Sequence, residues 1–356
     1  MLFSKEAGDE MNTIDFLRDV TRLPGLPGHE HEVAAHVAEA FKPLADAIAI
    51  DPMNNVVARC GNAGPKILVA AHMDEIGLVV RGIEEDGALR LRQSGGVDPR
   101  ILPAAEVKVW TKTGPLMGFI GAKAPHLLNE TERMQATKLD DVYVDLGMPA
   151  EMVKEKVRFG DMVTLVAPMT ALANGRYAGK TMDDRAGVAA MLVAAEELGK
   201  LKHGAQALFA ATTQEEVGMI GAKAAGFSQK PDAAIAVDVT HGAGPGTGKW
   251  EAHPIDRLVI DRGPNINPEL FRRLQKTAKD NGIDVNVGIS NGRTHTDADA
   301  LDLSNAGVPS VLISIPLRYM HTTVETLDAQ MIEQCGKLMA LFIRDIAADW
   351  GDISWY

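Results

Sequence analysis

Cysteine is scarce in this sequence: Cys60 and Cys335 are the two among 356 residues, far apart and outside any C-x-x-C pattern. That excludes a disulfide framework and points to a reducing compartment. Both read as small buried apolar side chains. Positive charge is short as well, with 36 Lys and Arg against 48 Asp and Glu, a net charge of −12. Such a balance disfavours a nucleic-acid or anionic-membrane surface and fits an enzyme acting on small substrates. No apolar run is long enough for a membrane span. Met1 to Glu10 carries acids, a single lysine and no apolar core segment. No secretory leader is expected there, so we place the protein in the cytoplasm. Those first residues read as a loose tail.

What is present has ordinary globular composition, 46% hydrophobic and 24% charged, and the length favours two or three domains. The stretch that organises the rest is Ala211-Thr212-Thr213-Gln214-Glu215-Glu216-Val217-Gly218. It follows an apolar run from Ala205 to Ala210 that reads as a buried strand, and it precedes a small-residue segment from Met219 to Gly226 that reads as a helix. Neighbouring residues of a regular strand face opposite ways. At a strand end the chain turns, so Glu215 and Glu216 can converge on one site.

Helices are expected over Thr13 to Leu23 and His29 to Leu44, separated by Pro24-Gly25-Leu26-Pro27-Gly28. His29 and His31 read as solvent-exposed. Lys66 to Ala71 is a nearly continuous apolar run, hence a central strand, and it delivers His72-Met73-Asp74 at its end. From Ile76 to Ala167 the texture changes to short alternating segments divided by Gly-rich turns. This is the pattern of a small β-barrel module inserted into the first domain. A long helix over Ala186 to Leu198 follows Asp183-Asp184-Arg185. Alternating strands and helices then run to a C-terminal helix over Ala329 to Ala347. The fold class is therefore α/β, divided as residues 1–75 and 168–356 around an insertion of 76–167.

Five places put metal-type ligands just past an apolar strand or at a helix mouth: His72 with Asp74, Asp183 with Asp184, Glu215 with Glu216, Asp238, and Met320-His321. Open α/β sheets bring the carboxyl ends of their strands to one crevice. Two histidines with several carboxylates suit zinc, cobalt or manganese rather than an iron–sulfur or thiolate site. Residues two apart on extended chain share a face, so Asp74 can accept from the second ring nitrogen of His72. That would fix its tautomer and raise its basicity, and we count Asp74 with Glu215 in the catalytic set.

Four stretches together resemble a known family: His72-Met73-Asp74-Glu75-Ile76-Gly77, Met182-Asp183-Asp184-Arg185-Ala186-Gly187, Gln214-Glu215-Glu216-Val217-Gly218 and Pro316-Leu317-Arg318-Tyr319-Met320-His321-Thr322. They look like the motifs of peptidase family M forty-two, which holds the glutamyl aminopeptidases and the tetrahedral, deblocking aminopeptidases. The resemblance covers nearly the whole chain after Met11, in the family's order. It implies a central mixed sheet with helices on both faces and a β-barrel insertion. It also implies two divalent metal ions per subunit, zinc or cobalt. His72 and Asp238 would hold one, Glu216 and His321 the other, and Asp183 would bridge both. Glu215 would be general base and then general acid, and the bond after Asp183 would be cis. Short peptides would be the substrates, and the subunits would assemble from dimers into a hollow tetrahedron of twelve.

The sequence departs from the family in one loop. Where relatives carry a glycine-rich turn before a Thr-Asp pair, this chain has Ser290-Asn291-Gly292-Arg293-Thr294-His295-Thr296-Asp297. Arg293 and His295 put bulk and positive charge where substrate is expected, and become candidate contacts for an acidic side chain or terminal carboxylate. The competing reading is a glycosidase using the Glu215 and Glu216 carboxyls, since some family members have been described as endoglucanases. Such chemistry needs carboxyls about 5–9.5 Å apart across a sugar, and leaves His72, Asp183, Asp238 and His321 without a role. A non-catalytic binding protein would be expected to lack some ligands; none is missing.

Overall fold

A computed structural model describes residues 12–355. The expected loose tail, Met1 to Glu10, lies outside the described residues. The core is an 11-stranded mixed sheet. Its centre is four parallel strands in the spatial order Gln206–Thr212, Lys66–His72, Ala233–His241 and Ser310–Arg318. Antiparallel strands extend it on both sides, Val56–Cys60 on one and Glu325–Asp328 on the other.

The central strand Lys66–His72 is buried on both faces after its first residue. Ile67, Val69 and Ala71 face the larger core, with the helices Thr13–Val20, His31–Phe41, Met182–Lys200, Pro268–Asp280 and Ala329–Ala348. Leu68 and Ala70 face the opposite layer, with Ala222, Ala225, Ala300 and Leu301 of the helices Ile220–Gln229 and Asp297–Asp302. Alternation along one strand thus serves two helical layers. At its start Lys66 and Asp232 bracket each other: the N–H of Lys66 donates to Asp232 Oδ2 at 2.8 Å, and the N–H of Asp232 to the carbonyl of Lys66 at 2.8 Å.

The helix Met182–Lys200 is buried around most of its circumference, because Ala, Val, Met and Leu supply apolar surface on every side. The C-terminal helix crosses it closely: a Cβ on Gly336 would lie 2.5 Å from the Val193 side chain and 2.7 Å from the carbonyl of Ala190.

Between the strand ending at His72 and the strand Thr170–Ala171, six antiparallel strands close into a barrel, from Gly77–Ile83 through Met162–Leu165. Its own apolar core includes Leu78, Leu91, Val107, Val109, Ile120 and Val163. Among the described residues no helix is long and apolar enough to cross a membrane.

The expected elements are all present, with shifts at their ends. The helix expected from Ala186 starts at Met182, and its first turn contains non-helical Asp183 and Asp184. A short helix runs Asp297–Asp302, capped by the Thr296 side chain. The strand Ser310–Arg318 runs alongside its partner Ala233–His241 as far as the pairing of Leu317 with His241.

Candidate metal centre

The parallel register brings the site together. Thr212 pairs with His72, and Asp238 with Ser314. Gln214 adopts a left-handed φ of 55°, turning the chain just past the strand end and presenting Glu215 and Glu216 to the same crevice. His321 follows the strand Ser310–Arg318, and Asp183 enters from the mouth of the long helix. The Asp183–Asp184 peptide bond is cis.

Asp183 sits at the centre. Its Oδ1 lies 3.0 Å from His72 Nε2 and its Oδ2 lies 3.3 Å from His321 Nε2. His321 Nε2 is also 3.3 Å from Glu216 Oε1. Two groups of potential ligand atoms share Asp183: His72, Asp183 and Asp238 in one, and Asp183, Glu216 and His321 in the other. A tetrahedral ion with bonds near 2.0–2.2 Å holds its ligand atoms roughly 3.3 Å apart, the separation of His321 Nε2 from Asp183 Oδ2 and from Glu216 Oε1.

The chemistry of this donor set also calls for cations. His321 Nδ1 stands 3.2 Å from the carbonyl oxygen of Gly96. A carbonyl only accepts, so Nδ1 carries hydrogen, and in the neutral ring the Nε2 lone pair faces two carboxylates. Without a cation the ring charges instead: hydrogen bonds to Asp183 and Glu216 push its pKa up to about 11. His72 is likewise held above its ordinary value, because hydrogen bonding to Asp183 and the nearby Asp74 charge outweigh burial. Burial drives Asp238 and Asp184 well above the carboxylate range, with neighbouring acids adding to the effect, and it raises Glu216. Burial also pushes Glu215 up to about 10, helped by the charges of Asp238, Asp297 and Glu216. Asp183 alone moves down: hydrogen bonds from His321 and His72 overcome its burial. Several carboxylates crowd around two imidazoles, so a pair of divalent ions fits the donors.

Asp74 is placed differently from the sequence expectation. His72 Nδ1 is 3.5 Å from Asp74 Oδ1, too long for a good hydrogen bond, and has no hydrogen-bond partner among the described residues. Asp74 instead accepts the backbone N–H of Glu215 on Oδ1 at 3.0 Å and that of Glu216 on Oδ2 at 3.2 Å. It holds the turn that carries both glutamates.

Sequence reading missed several supporting residues. Glu325 is buried and accepts two backbone N–H groups, His321's on Oε1 at 2.8 Å and Asp183's on Oε2 at 3.2 Å. Glu75 accepts the N–H of Gly25 at 3.0 Å and pairs with Lys180. Arg185, fully buried, donates to the carbonyls of Met73 and Leu23. A Cβ on Gly25 would fall 2.7 Å from the Arg185 guanidinium, so that turn needs glycine. Glu30 accepts the N–H groups of Gly28 and Gln214. Isolated acids of this kind carry no local signal; their partners Asp183, Gly25 and Gln214 lie far away in sequence.

An open cleft of about 520 Å³ lies over the cluster. Its walls include Glu215, Glu216, Met219, His241, Thr294, His295 and Met320. His295 therefore reaches the cleft, whereas Arg293, exposed on the same loop, is not among the lining residues. His29 and His31 are exposed, as expected.

Residues 54–338 match the profile described as M42 glutamyl aminopeptidase. The chain belongs to this family. It is 36% identical to a lysyl aminopeptidase of Pyrococcus furiosus over 93% of this chain and 97% of that one. The structure is similar to a TET aminopeptidase from a marine-sediment archaeon, Thaumarchaeota archaeon SCGC AB-539-E09, with 30% identity, a TM-score of 0.90 and coverage of 95% and 97%. It is also similar to the Pyrococcus horikoshii TET1 peptidase, which can assemble into a tetrahedron or a large octahedral shell, with 32% identity, a TM-score of 0.82 and coverage of 93% and 99%. A Thermotoga maritima structure titled an endoglucanase matches less well, at 30% identity and a TM-score of 0.74 over 92% and 96%. Members of the glutamyl aminopeptidase family are metallopeptidases, and this chain is a metal-dependent aminopeptidase with candidate ligands for divalent ions. The glycosidase alternative is not favoured: Glu216 is engaged with His321 beside Asp183.

Proposed function

We propose that this aminopeptidase releases N-terminal residues from short peptides, with His72 and Asp238 holding one divalent ion, Glu216 and His321 the other, and Asp183 bridging them. The observation that carries the reading is Asp183, whose two oxygens each face a different imidazole. Zinc or cobalt ions would polarise the scissile carbonyl and acidify the attacking water. Two divalent charges beside Glu215 would offset the neighbouring acids and keep its carboxylate ionised, so that Glu215, held apart from the ligand groups, would take the water's proton and return it to the leaving amine. Asp74 fixes the turn from which Glu215 reaches. The acidic lining attracts the substrate's free ammonium, and His295, with Arg293 exposed on the same loop, favours an acidic side chain or a terminal carboxylate.

We assign residues 1–75 and 168–356 to the catalytic unit and 76–167 to a barrel that mediates dimerisation. Met117 and Phe119, exposed on one face of the barrel strand Gly114–Ala122, support a contact there. The assembly would be a homo-oligomer built from dimers, up to a tetrahedral dodecamer, working in the cytoplasm. The decisive experiment assays purified protein, with and without chelator, on a panel of aminoacyl and N-blocked peptides. Activity on free N-termini that disappears with chelator and returns with Zn²⁺ or Co²⁺ is the expected result. Chelator-resistant hydrolysis would sink the mechanism, and hydrolysis of N-blocked peptides alone would sink the exopeptidase assignment.

A further inference from the structure

His321 stands on strained chain. It has a left-handed φ of 59°, and Tyr319 two residues earlier has 61°. Residues with a Cβ hold that conformation only where the surroundings impose it. Two contacts impose it here, from opposite sides. Glu325 grips the backbone N–H of His321 with one carboxylate oxygen while its other oxygen accepts from Asp183. The carbonyl of Gly96 meets the ring at Nδ1.

Gly96 belongs to the loop that follows the barrel strand Leu89–Ser94, so the barrel itself reaches the cluster. The fit there is close. A Cβ on Gly96 would lie 2.6 Å from His321 Nδ1, and one on the neighbouring Gly95 would lie 3.2 Å from the Glu216 side chain. The paired glycines leave room for His321 and Glu216 and for nothing larger.

We infer that Glu325 and Gly96 are positioning residues that preset His321, and with it the Glu216/His321 half of the centre, for a divalent cation. This rests on the proposed two-ion reading. Glu325 acts on the main chain, fixing where the ring is hung. Gly96 acts on the ring, keeping hydrogen on Nδ1 and leaving Nε2 as the donor. Supporting groups of this kind typically contribute about 10–100-fold to metal affinity.

The test is a Co²⁺ titration of metal-stripped protein, followed by absorption and by chelator competition. The parent should take up two ions per subunit. Glu325→Gln keeps the size but can accept only one of the two N–H groups. It should bind the second ion about 10–100-fold more weakly, and the first ion with a smaller loss because Asp183 is shared by both. Gly96→Ala, which pushes on the ring, should give the same selective loss, and it carries the test should Glu325→Gln fail to fold. Glu325→Asp, retaining the carboxylate, should restore part of the second affinity. Parent-like binding of both ions in both variants overturns the inference. Equal weakening of both ions would also overturn it, because that is the signature of a general structural role. A parent that binds no pair of Co²⁺ ions would instead bring down the two-ion reading, and this inference with it.

Discussion

Replacing Glu215 with glutamine should separate proton transfer from metal holding. The turn at 215 and 216 is fixed through backbone N–H groups on Asp74, so an amide side chain leaves its course unchanged. Glutamine keeps the volume and removes the proton acceptor. General acid–base catalysis is worth about 10²–10⁴-fold, which is roughly 2.7–5.4 kcal/mol on the barrier at about 1.36 kcal/mol per tenfold. Turnover should fall by that much, while KM and bound metal stay near parental values. Glu216→Gln should behave in the opposite way. Its Oε1 lies 3.3 Å from His321 Nε2, within one half of the centre, so the change removes an anionic donor. Metal content should drop, and excess Zn²⁺ or Co²⁺ should recover part of the activity. The assay pairs steady-state turnover on a good aminoacyl substrate with elemental analysis after dialysis, on both variants. Near-normal turnover in Glu215→Gln would refute the reasoning. So would metal lost from that variant but kept in Glu216→Gln.

Asp183→Asn should lose the anion shared by both halves, so metal per subunit and activity fall together; two tightly held ions in that variant would contradict the bridge. Burial raises Glu30 from 4.5 to about 7, so the folded chain holds the extra proton between those values and this group's contribution to stability declines as pH rises from about 4.5 to 7. Glu30→Gln should therefore flatten the melting midpoint against pH over that window, and an unchanged slope would refute it. Gly336→Ala gains helix propensity worth about 1 kcal/mol but meets Val193 and the Ala190 carbonyl, where overpacking costs about 1–3 kcal/mol. Net destabilisation in urea unfolding is expected; a more stable variant would show that the helices part freely.

Much of the fold was legible because its strands are chemically plain. Ile67 to Ala71 and Ala233 to Val237 are apolar throughout, as a strand buried on both faces is. The barrel announced itself by short alternating segments and glycine turns. The helix start was misplaced for a physical reason: Asp183, Asp184 and Arg185 are buried, yet their polarity reads as a solvated loop. Their partners are Glu325, Gly187 and the carbonyl of Met73, and two of the three are remote in sequence. The candidate ligand residues could be found from motifs at strand ends. Their supports could not, because Glu325, Glu75 and Glu30 acquire meaning only through contacts that folding creates. Asp74 was expected to serve the His72 ring, but its oxygens accept backbone N–H groups instead. Arg293 and His295 share one loop, and sequence gave no means of knowing that only His295 faces the cleft.

The two-sided burial of the strand Lys66–His72 bears on how errors in assembly are avoided. A strand with one wet face is indexed by its own pattern, since a slip of one residue turns oily groups outward. This strand has no wet face, and a slip would merely exchange Ile67, Val69 and Ala71 for Leu68 and Ala70 between two oily layers. The indexing must then come from somewhere polar. The reciprocal bonds between Lys66 and Asp232 supply it, six residues before His72 and, at about 3.3 Å per residue, roughly 20 Å from it. The address of the first candidate metal ligand is thus written at the far, solvent-facing end of its strand.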